Sequence, residues 1–271
     1  MEIHTDSILV TGCVHADTGW FLNNVLPAAV ESEVDAVLVA GDYGYWPHSP
    51  KLIRVAQRAK STHGVDVLFI DGNHESYTKL YRDVSKYADT DDPLSCVNLG
   101  GSLYYVPRGA RFTVGSLSIV GFGGAISIDR LFRHPGVSWF CEEAITNEQV
   151  ERVSGGADVL IAHDTVSWYT IPGLIPVAQM PKEWVKVLPE AEAHRVEVSR
   201  VAERLRPKML IHSHYHTGYD ITLPTEWGPM AITGLNQGGT DEFARVLKEE
   251  RGAPSLGPWV VASKKPVRGD G

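Results

Sequence analysis

Five short runs of apolar residues along the chain are each followed at once by polar or metal-chelating residues. The runs are rich in β-branched side chains, which is typical of strands buried on both faces of an α/β fold. They cover residues 8–12, 36–41, 67–70, 159–162 and 209–211. Because ligands gather beyond the carboxyl ends of strands in such folds, the pattern predicts that the residues after these runs meet in one place.

Helical patterns and weaker strand patterns complete the predicted architecture. Helices are predicted at 20–32, 52–62, 147–153 and 198–205. The first two lie between the first three apolar runs, which predicts a parallel βαβαβ beginning, and Thr146 with Gln149 forms a capping box before the third. Further strands are predicted at 103–106, 111–114, 117–121, 219–223, 230–234 and 259–262. We therefore expect one α/β domain over residues 1–271, with two facing sheets and helices outside them.

Residues 165–189 interrupt this pattern with a long connection that contains four prolines. A connection of this length is unusual unless it covers a site or carries small elements of its own. It begins just after His163, so one interpretation is a lid over a site. The other interpretation is a structural excursion packed on the surface.

The composition is ordinary for a protein with a full core, at 43% hydrophobic and 21% charged residues. The formal net charge of −8 argues against an extended nucleic-acid platform, because such a platform needs a surplus of Lys and Arg. No apolar run approaches the ~18 residues of a membrane span. The first residues lack the features of a secretory signal, and three cysteines without one indicate a reducing compartment. We expect a cytoplasmic protein with free thiols and no membrane partner.

The residues that follow the five runs are mostly of the types that bind metal ions. They are Cys13, His15, Asp42, Asn73, His74, His163, His214 and His216. Thiolate, imidazole, carboxylate and amide oxygen are all metal ligands, and eight such groups are too many for one ion. Any one histidine taken alone is more often a core or loop residue, but five strand ends with the same property make coincidence a poor explanation. The set suits two ions that share a bridging carboxylate.

The motifs occur in the order Cys13-Val14-His15, Gly41-Asp42, Gly72-Asn73-His74-Glu75, His163 and His214-Tyr215-His216. This order resembles the signature D-x-H, G-D, G-N-H-[DE], H, G-H-x-H of the calcineurin-like metallophosphoesterase superfamily. The segment 123–130 also resembles the branch of that superfamily common in actinobacteria and their phages. The resemblance implies a metallophosphoesterase-type β-sandwich, in which two mixed sheets and their flanking helices form four α/β/β/α layers.

The resemblance also implies a role for each matching residue. The first metal ion would be held by Cys13, His15 and His216, and the second by Asn73, His163 and His214. Asp42 would bridge two divalent ions, for which Mn²⁺ is the expected identity. A water between the ions would attack phosphorus, and His74 would protonate the leaving oxygen or stabilise its charge.

Two positions depart from the family pattern. Cys13 stands where the family has aspartate, and Ser213 stands where a glycine usually precedes His214. A thiolate keeps the negative charge but is softer, which shifts the first site toward Zn²⁺ or Fe²⁺. The alternative is that Cys13 is a small buried apolar residue and that the first metal is weak or missing.

The residues after Asp42 bear on the substrate. Protein Ser/Thr phosphatases of the superfamily carry G-D-x-V-D-R-G, whereas this chain reads G-D-Y-G-Y-W-P and lacks the arginine that grips a dianionic phosphate. This favours phosphodiesters, and the resemblance favours small nucleotide diesters such as 2′,3′-cyclic nucleotides. The alternatives are a nuclease or phosphomonoesterase on the same site, and a metal- or nucleotide-binding module without turnover.

Three residues are candidate substrate contacts. Arg130 and Arg133 are candidates for binding phosphate, with solvated surface charge as the alternative. Tyr43 is a candidate for stacking on a base, with packing in the core as the alternative.

Overall fold

The computed structural model describes residues 4–46, 50–88, 92 and 94–262. Two seven-stranded sheets dominate these residues. Sheet 1 has the order β14 (Ala253–Leu256), β13 (Ala244–Glu250), β2 (Ser7–Thr11), β3 (Ala36–Val39), β4 (Asp66–Phe69), β6 (Leu103–Tyr105) and β5 (Val97–Gly100). Sheet 2 has the order β1 (His4–Thr5), β7 (Arg111–Val114), β8 (Leu117–Phe122), β9 (Val159–Ala162), β10 (Met209–His212), β12 (Gly228–Gly234) and β11 (Tyr219–Thr225).

Both sheets are mixed, with parallel strands at the centre and antiparallel strands toward the edges. In sheet 1 the strands β2, β3, β4 and β6 are parallel, and β13, β14 and β5 join antiparallel. In sheet 2 the strands β8, β9, β10 and β12 are parallel, whereas β7 and β11 join antiparallel. The central strands are therefore the ones that bring their carboxyl ends to a common edge.

Helices cover the outer faces of both sheets. They are α1 (Thr18–Trp20), which continues through a π-helical segment (Phe21–Val25) into α2 (Leu26–Glu31), then α3 (Pro50–His63), α4 (Tyr77–Tyr87), α5 (Asn147–Arg152) and α7 (Leu188–Leu205). A further short helix, α6 (Lys182–Val185), precedes α7. None of the helices in the described ranges is long and apolar enough to cross a membrane.

Alternation of side chains along the strands builds three apolar layers. In β2, Ile8 and Val10 face the layer between the sheets, whereas Leu9 faces the helices α1 to α4. In β9, Ile161 faces the layer between the sheets and Leu160 packs toward α5 and α7. The expected arrangement of two mixed sheets flanked by helices is confirmed.

The helix that follows the Thr146 and Gln149 capping box is confirmed. Thr146 Oγ1 accepts from the Gln149 backbone N–H at 3.3 Å, and the Gln149 side chain accepts from the Thr146 N–H at 3.0 Å. These two bonds satisfy donors that the first turn of a helix otherwise leaves unpaired.

The strand predicted at 259–262 is wrong. After β14 the chain turns back, and Val260 makes only an isolated bridge with Ala244. Strand β13 takes the place beside β2. The sequence did not predict β13, and it did not predict β14, β5 or α4. Strand β13 carries Lys248, Glu249 and Glu250 at its end, so its sequence lacks the continuous apolar run of a central strand.

The connection at 165–189 holds a 3₁₀ turn (Val177–Gln179) and the short helix α6. The Arg195 guanidinium on α7 donates to the carbonyls of Val166 and Tyr169, at 2.6 and 2.7 Å, and so ties down the beginning of the connection. Its role as a lid remains a prediction.

Candidate metal centre

The polar residues that follow the five runs come together beyond the carboxyl ends of β2, β3, β4, β9 and β10. Three overlapping groups have ligand atoms that all lie within 4.8 Å of one another. The groups are Cys13, His15 and His216; Cys13, Asp42 and His163; and His15, Asp42 and His74. Donors from strands of both sheets therefore converge on one volume.

Asp42 lies at the centre of this volume and is 1% exposed. Its Oδ2 lies 3.4 Å from His163 Nε2 and 3.9 Å from His15 Nδ1, and its Oδ1 accepts from the His74 backbone N–H at 2.7 Å. Burial opposes ionisation, but the neighbouring imidazoles, foremost His163, hold the pKa of this carboxyl well below its usual range. The carboxylate is thus ionised and flanked by donors on both sides, as a bridging ligand requires.

The histidines of the centre differ in how readily they take up a proton. Burial lowers the pKa of His214 to about 3 and of His216 to about 4, and nearby imidazoles act in the same direction. At His163 burial also disfavours the charged ring, but the Asp42 carboxylate outweighs it and raises the pKa. Neutral imidazole is the form that binds metal. His214 and His216 are therefore ready to bind a cation, whereas at His163 a cation competes with a proton for the nitrogen beside Asp42.

The imidazole rings of the candidate ligands lie close to one another in pairs. The Nε2 atoms of His15 and His216 face each other at 3.3 Å. The ring centroids of His163 and His214 lie 5.0 Å apart. Each pair belongs to one of the two sets of ligands that the family resemblance implies.

Several of the candidate ligand residues have left-handed backbones, which is uncommon for residues other than glycine. The φ angles are 51° at His15, 52° at Asp42, 66° at His214 and 52° at His216. Such conformations cost of order 1–3 kcal/mol each and concentrate at functional sites. Here they turn the chain sharply just after a strand and aim the side chains at a common point.

Two glycines allow the elements of the site to approach one another. A Cβ on Gly41, whose φ is +90°, would lie 2.0 Å from His163 Nδ1. A Cβ on Gly72 would lie 2.1 Å from Asp42 Oδ1. The G-D and G-N-H motifs therefore require glycine because no side chain fits between the ligands.

Ser213, which stands where the resembled family has glycine, contacts two candidate ligands. Its hydroxyl donates to the Ala40 carbonyl at 2.5 Å and lies 3.1 Å from His163 Nδ1. His163 Nδ1 is itself 2.8 Å from the Ala40 carbonyl and donates to it, so Nε2 faces the site. The Cys13 thiol points at the Ser213 hydroxyl, with 3.5 Å between Sγ and Oγ.

The Cys13 thiol is almost fully buried, at 1% exposed. Burial raises the pKa of the thiol strongly, and the Asp42 carboxylate raises it further. A thiolate beside this carboxylate is favourable only with a cation between them. The donor set of sulfur, imidazole and carboxylate fits a divalent metal ion.

His74 lies at the edge of the centre, with its ring 4.8 Å from that of His15. Arg133 Nη2 contacts His74 Nε2 at 2.8 Å, and the same guanidinium pairs with Asp129 at 2.8 Å. Burial lowers the pKa of His74, and the positive charge of Arg133 lowers it further, whereas the Asp42 carboxylate raises it. Of the three candidate substrate contacts, the structure brings Arg133 into contact with the site.

The other two candidates are engaged by other partners. Arg130 pairs with Glu190 on α7, and its guanidinium lies over the Trp139 ring at 5.8 Å. Tyr43 is fully buried in the apolar layer under sheet 1, between Phe21 and Phe69. The prediction that Tyr43 stacks on a base is therefore wrong, because its ring is part of the core.

Two buried networks behind the ligands were not predicted from the sequence. In one, Asp71 pairs with Arg108 under the G-N-H loop. In the other, Asp164 accepts from His194 Nδ1 at 2.7 Å and from the Tyr215 hydroxyl at 2.6 Å, which anchors the turn between the last two histidine ligands. One sequence signal could have indicated them: Asp71 and Asp164 each lie directly beside a candidate ligand motif, and a carboxylate buried there needs hydrogen-bond partners.

Comparison with known proteins agrees with this geometry. No curated protein sequence matches the chain. Among solved structures, TT1561 of Thermus thermophilus is similar with a TM-score of 0.50 and 13% identity, covering 93% of this chain and 98% of its own. A proposed 5′-nucleotidase from Staphylococcus aureus has a TM-score of 0.49 and 14% identity over 96% of this chain, which spans 54% of that protein. At 13% identity the likeness to TT1561 concerns the fold alone. The family model of the calcineurin-like phosphoesterases matches residues 7–218, a range that contains all the converging ligands, and the chain belongs to that family.

Proposed function

We propose that this metal-dependent phosphoesterase hydrolyses small phosphodiesters, with 2′,3′-cyclic nucleotides as the first substrates to test. The observation that supports it is the convergence of Cys13, His15 and His216 with His163 around the buried Asp42 carboxylate. The family uses a dinuclear divalent metal centre. The donor set fits two ions, since an ionised carboxylate lies between two groups of nitrogen and sulfur donors.

Each ion has a stated set of residues in this proposal. Cys13, His15 and His216 would hold one, Asn73, His163 and His214 the other, and Asp42 both. When bound, two divalent ions lower the pKa of water and neutralise the charge of a phosphoryl group. Mn²⁺ is the proposed ion at the second position, and Zn²⁺ or Fe²⁺ at the position that includes the Cys13 sulfur.

His74 and Arg133 are the groups that would act on the substrate directly. The guanidinium has only donors, so His74 Nε2 accepts from it and the ring proton of neutral His74 lies on Nδ1. A substrate phosphate competes for the guanidinium, because a charged oxygen is a better acceptor than a ring nitrogen. Once Arg133 has turned to the phosphate, His74 Nε2 can take up a proton from solvent, and the resulting imidazolium can pass that proton to the leaving oxygen, which returns the ring to its neutral form.

The number of cationic side chains beside the proposed catalytic residue favours phosphodiesters over phosphomonoesters as substrates. Among the residues that the structure describes, Arg133 is the arginine that contacts the proposed catalytic His74, and Asp129 neutralises part of its charge. A phosphodiester carries one negative charge, which one guanidinium and the metal centre can meet. A phosphomonoester dianion would call for a second cationic side chain of the kind that the motif after Asp42 lacks.

Turnover on matched substrates tests the proposal. Metal-loaded wild type is assayed on bis(p-nitrophenyl) phosphate, 2′,3′-cyclic AMP, single-stranded DNA and p-nitrophenyl phosphate. We expect the diesters to have the highest kcat/KM, His74→Ala to lower it roughly 10²- to 10⁴-fold, and Arg133→Ala to lower it roughly 10- to 100-fold. Arg130→Ala separates the two arginines and is expected to remain near wild type, because Glu190 already engages that guanidinium.

Two results would overturn the proposal. Wild-type hydrolysis no faster than that of His74→Ala on every substrate would remove the enzymatic interpretation. A higher kcat/KM for the monoester than for either small diester would leave a phosphoesterase but contradict the substrate class. A cytoplasmic setting is proposed on the sequence alone.

A further inference from the structure

A buried chain of hydrogen bonds runs from the ligand residue Asn73 through Ser127 to Glu143. Asn73 Nδ2 donates to Ser127 Oγ at 3.0 Å, and Ser127 Oγ donates to Glu143 Oε2 at 2.7 Å. The three residues are 5%, 0% and 1% exposed. Ser127 belongs to the segment 123–130, and the proposed function gives Ser127 itself no role.

Glu143 is held in a fixed orientation at the far end of this chain. Its Oε1 accepts from the Ser127 backbone N–H at 2.8 Å and from Trp139 Nε1 at 2.9 Å. Its Oε2 is left to face the Ser127 hydroxyl. At pH 8, above the pKa of about 7 to which burial raises Glu143, its carboxylate is ionised and can only accept, so every proton in the chain is donated toward Glu143.

This direction decides which end of the Asn73 amide faces the metal centre. The Ser127 hydroxyl has one proton, and it is used on Glu143, so Ser127 can only accept from Asn73. The Asn73 NH₂ group therefore points at Ser127, and Oδ1 points at the centre, 3.1 Å from His163 Nε2.

Without the chain, the opposite orientation would be favoured whenever the His163 ring is neutral. His163 donates its Nδ1 proton to Ala40, so the neutral ring that binds metal presents a lone pair to Asn73 Oδ1. Two acceptors then face each other, and turning the amide over would replace them by a hydrogen bond from NH₂ to Nε2. The turned amide would present its NH₂ group to the metal centre, and an amide NH₂ has no lone pair with which to bind a metal ion.

We propose that Glu143, acting through Ser127, is a positioning residue that holds the Asn73 amide with its oxygen toward the metal centre. The proposal rests on the proposed function, in which Asn73 is a ligand. It gives the segment 123–130 the role of a support for the G-N-H loop. Outer residues of this kind commonly change metal affinity by roughly 10- to 100-fold when they are replaced.

The test uses Glu143→Gln. In this variant the two donors at Oε1 keep the amide oxygen there, so the Gln NH₂ group meets the Ser127 hydroxyl. Ser127 must then donate toward residue 73, which reverses the chain and turns the Asn73 amide over. Trp139→Phe is the matched control, since it removes one hydrogen bond to Glu143 without changing the direction of the chain.

The readout is titration of metal-free protein with Mn²⁺ by calorimetry at pH 8, with urea unfolding of each metal-free variant alongside. For Glu143→Gln we expect one of two ions to bind roughly 10- to 100-fold more weakly, with the other nearly unchanged. Trp139→Phe is expected to bind both ions as wild type does. The double variant Asn73→Asp with Glu143→Gln is expected to recover affinity, because the introduced carboxylate accepts from a Ser127 hydroxyl that now points toward it.

The outcomes distinguish this inference from the function on which it rests. Wild type that binds no second ion would refute the dinuclear centre itself. Wild type that binds two ions while Glu143→Gln does so equally well would refute only the positioning role. An equal loss in Trp139→Phe, or no recovery in the double variant, would show a general effect of destabilisation and also overturn the proposal.

Discussion

Replacing Arg108 with methionine tests whether the buried network under the G-N-H loop holds the fold together. Arg108 Nε and Nη2 donate to Asp71 Oδ2 at 2.9 and 2.6 Å, and both residues are buried. The same guanidinium donates to the carbonyls of Glu142 and Ala144, at 2.9 and 2.8 Å. Methionine fills much of the volume but supplies none of these donors.

The expected loss is large because the acceptors stay buried. Removing one partner of a buried ion pair costs about 3–5 kcal/mol. The Tyr77 and Tyr105 hydroxyls still donate to Asp71, which favours the lower end, whereas the carbonyls left without donors add to the cost. We expect about 4 kcal/mol, which is a large share of the ~5–15 kcal/mol that stabilises a typical domain.

Urea unfolding of metal-free protein, followed by fluorescence and circular dichroism, measures this loss as a fall in midpoint at constant slope. Arg111→Met is the control, because exposed Arg111 also donates to carbonyls, those of Ser154 and Gly156, but has no buried carboxylate partner. Its expected cost is below about 1 kcal/mol. Asp71→Asn combined with Arg108→Met should recover part of the stability, since the neutral amide needs no cation. A loss under about 1 kcal/mol for Arg108→Met, or no recovery in the double variant, would refute the reasoning.

Three further predictions concern the site and its supports. Gly41→Ala places a Cβ 2.0 Å from His163 Nδ1 and should abolish the binding of one metal ion, as measured by calorimetry. Gly64→Ala is the control, because Gly64 also has a positive φ but open space around it; this substitution should lower only the free energy of unfolding, by about 1 kcal/mol. At limiting metal, Cys13→Asp should retain more metal than Cys13→Ala, because Asp supplies an anionic ligand; elemental analysis measures the metal content. Equal retention by Cys13→Ala and wild type would contradict the proposal that Cys13 binds metal. Burial raises the pKa of Glu143 from its ordinary 4.5 to about 7, so its contribution to the stability of the metal-free protein is complete below pH 4.5 and is lost as the pH rises through about 7. The difference in unfolding free energy between wild type and Glu143→Gln should therefore change by about 3 kcal/mol between pH 4.5 and 8, and a constant difference would argue against the raised pKa.

The family, the layered fold and the ligands proposed for the centre could be inferred from the sequence because each of their signals is local. An apolar run identifies a buried strand, and the chelating residue directly after it marks the carboxyl end where such residues gather. That reasoning located Asp42 after β3 and His163 after β9, which the structure brings to 3.4 Å. It failed where a strand has no such run, as in β13.

Only the tertiary structure decided how these ligands are held. Asn73, Ser127 and Glu143 are separated by 54 and 16 residues along the chain, and Asp71 lies 37 residues from Arg108. A local pattern contains no information on which distant polar groups become partners, because pairing is imposed when buried donors and acceptors must satisfy one another away from water. For the same reason the sequence does not distinguish an aromatic side chain that faces a substrate from one that packs in the core. Tyr43, next to the candidate ligand Asp42, packs in the core.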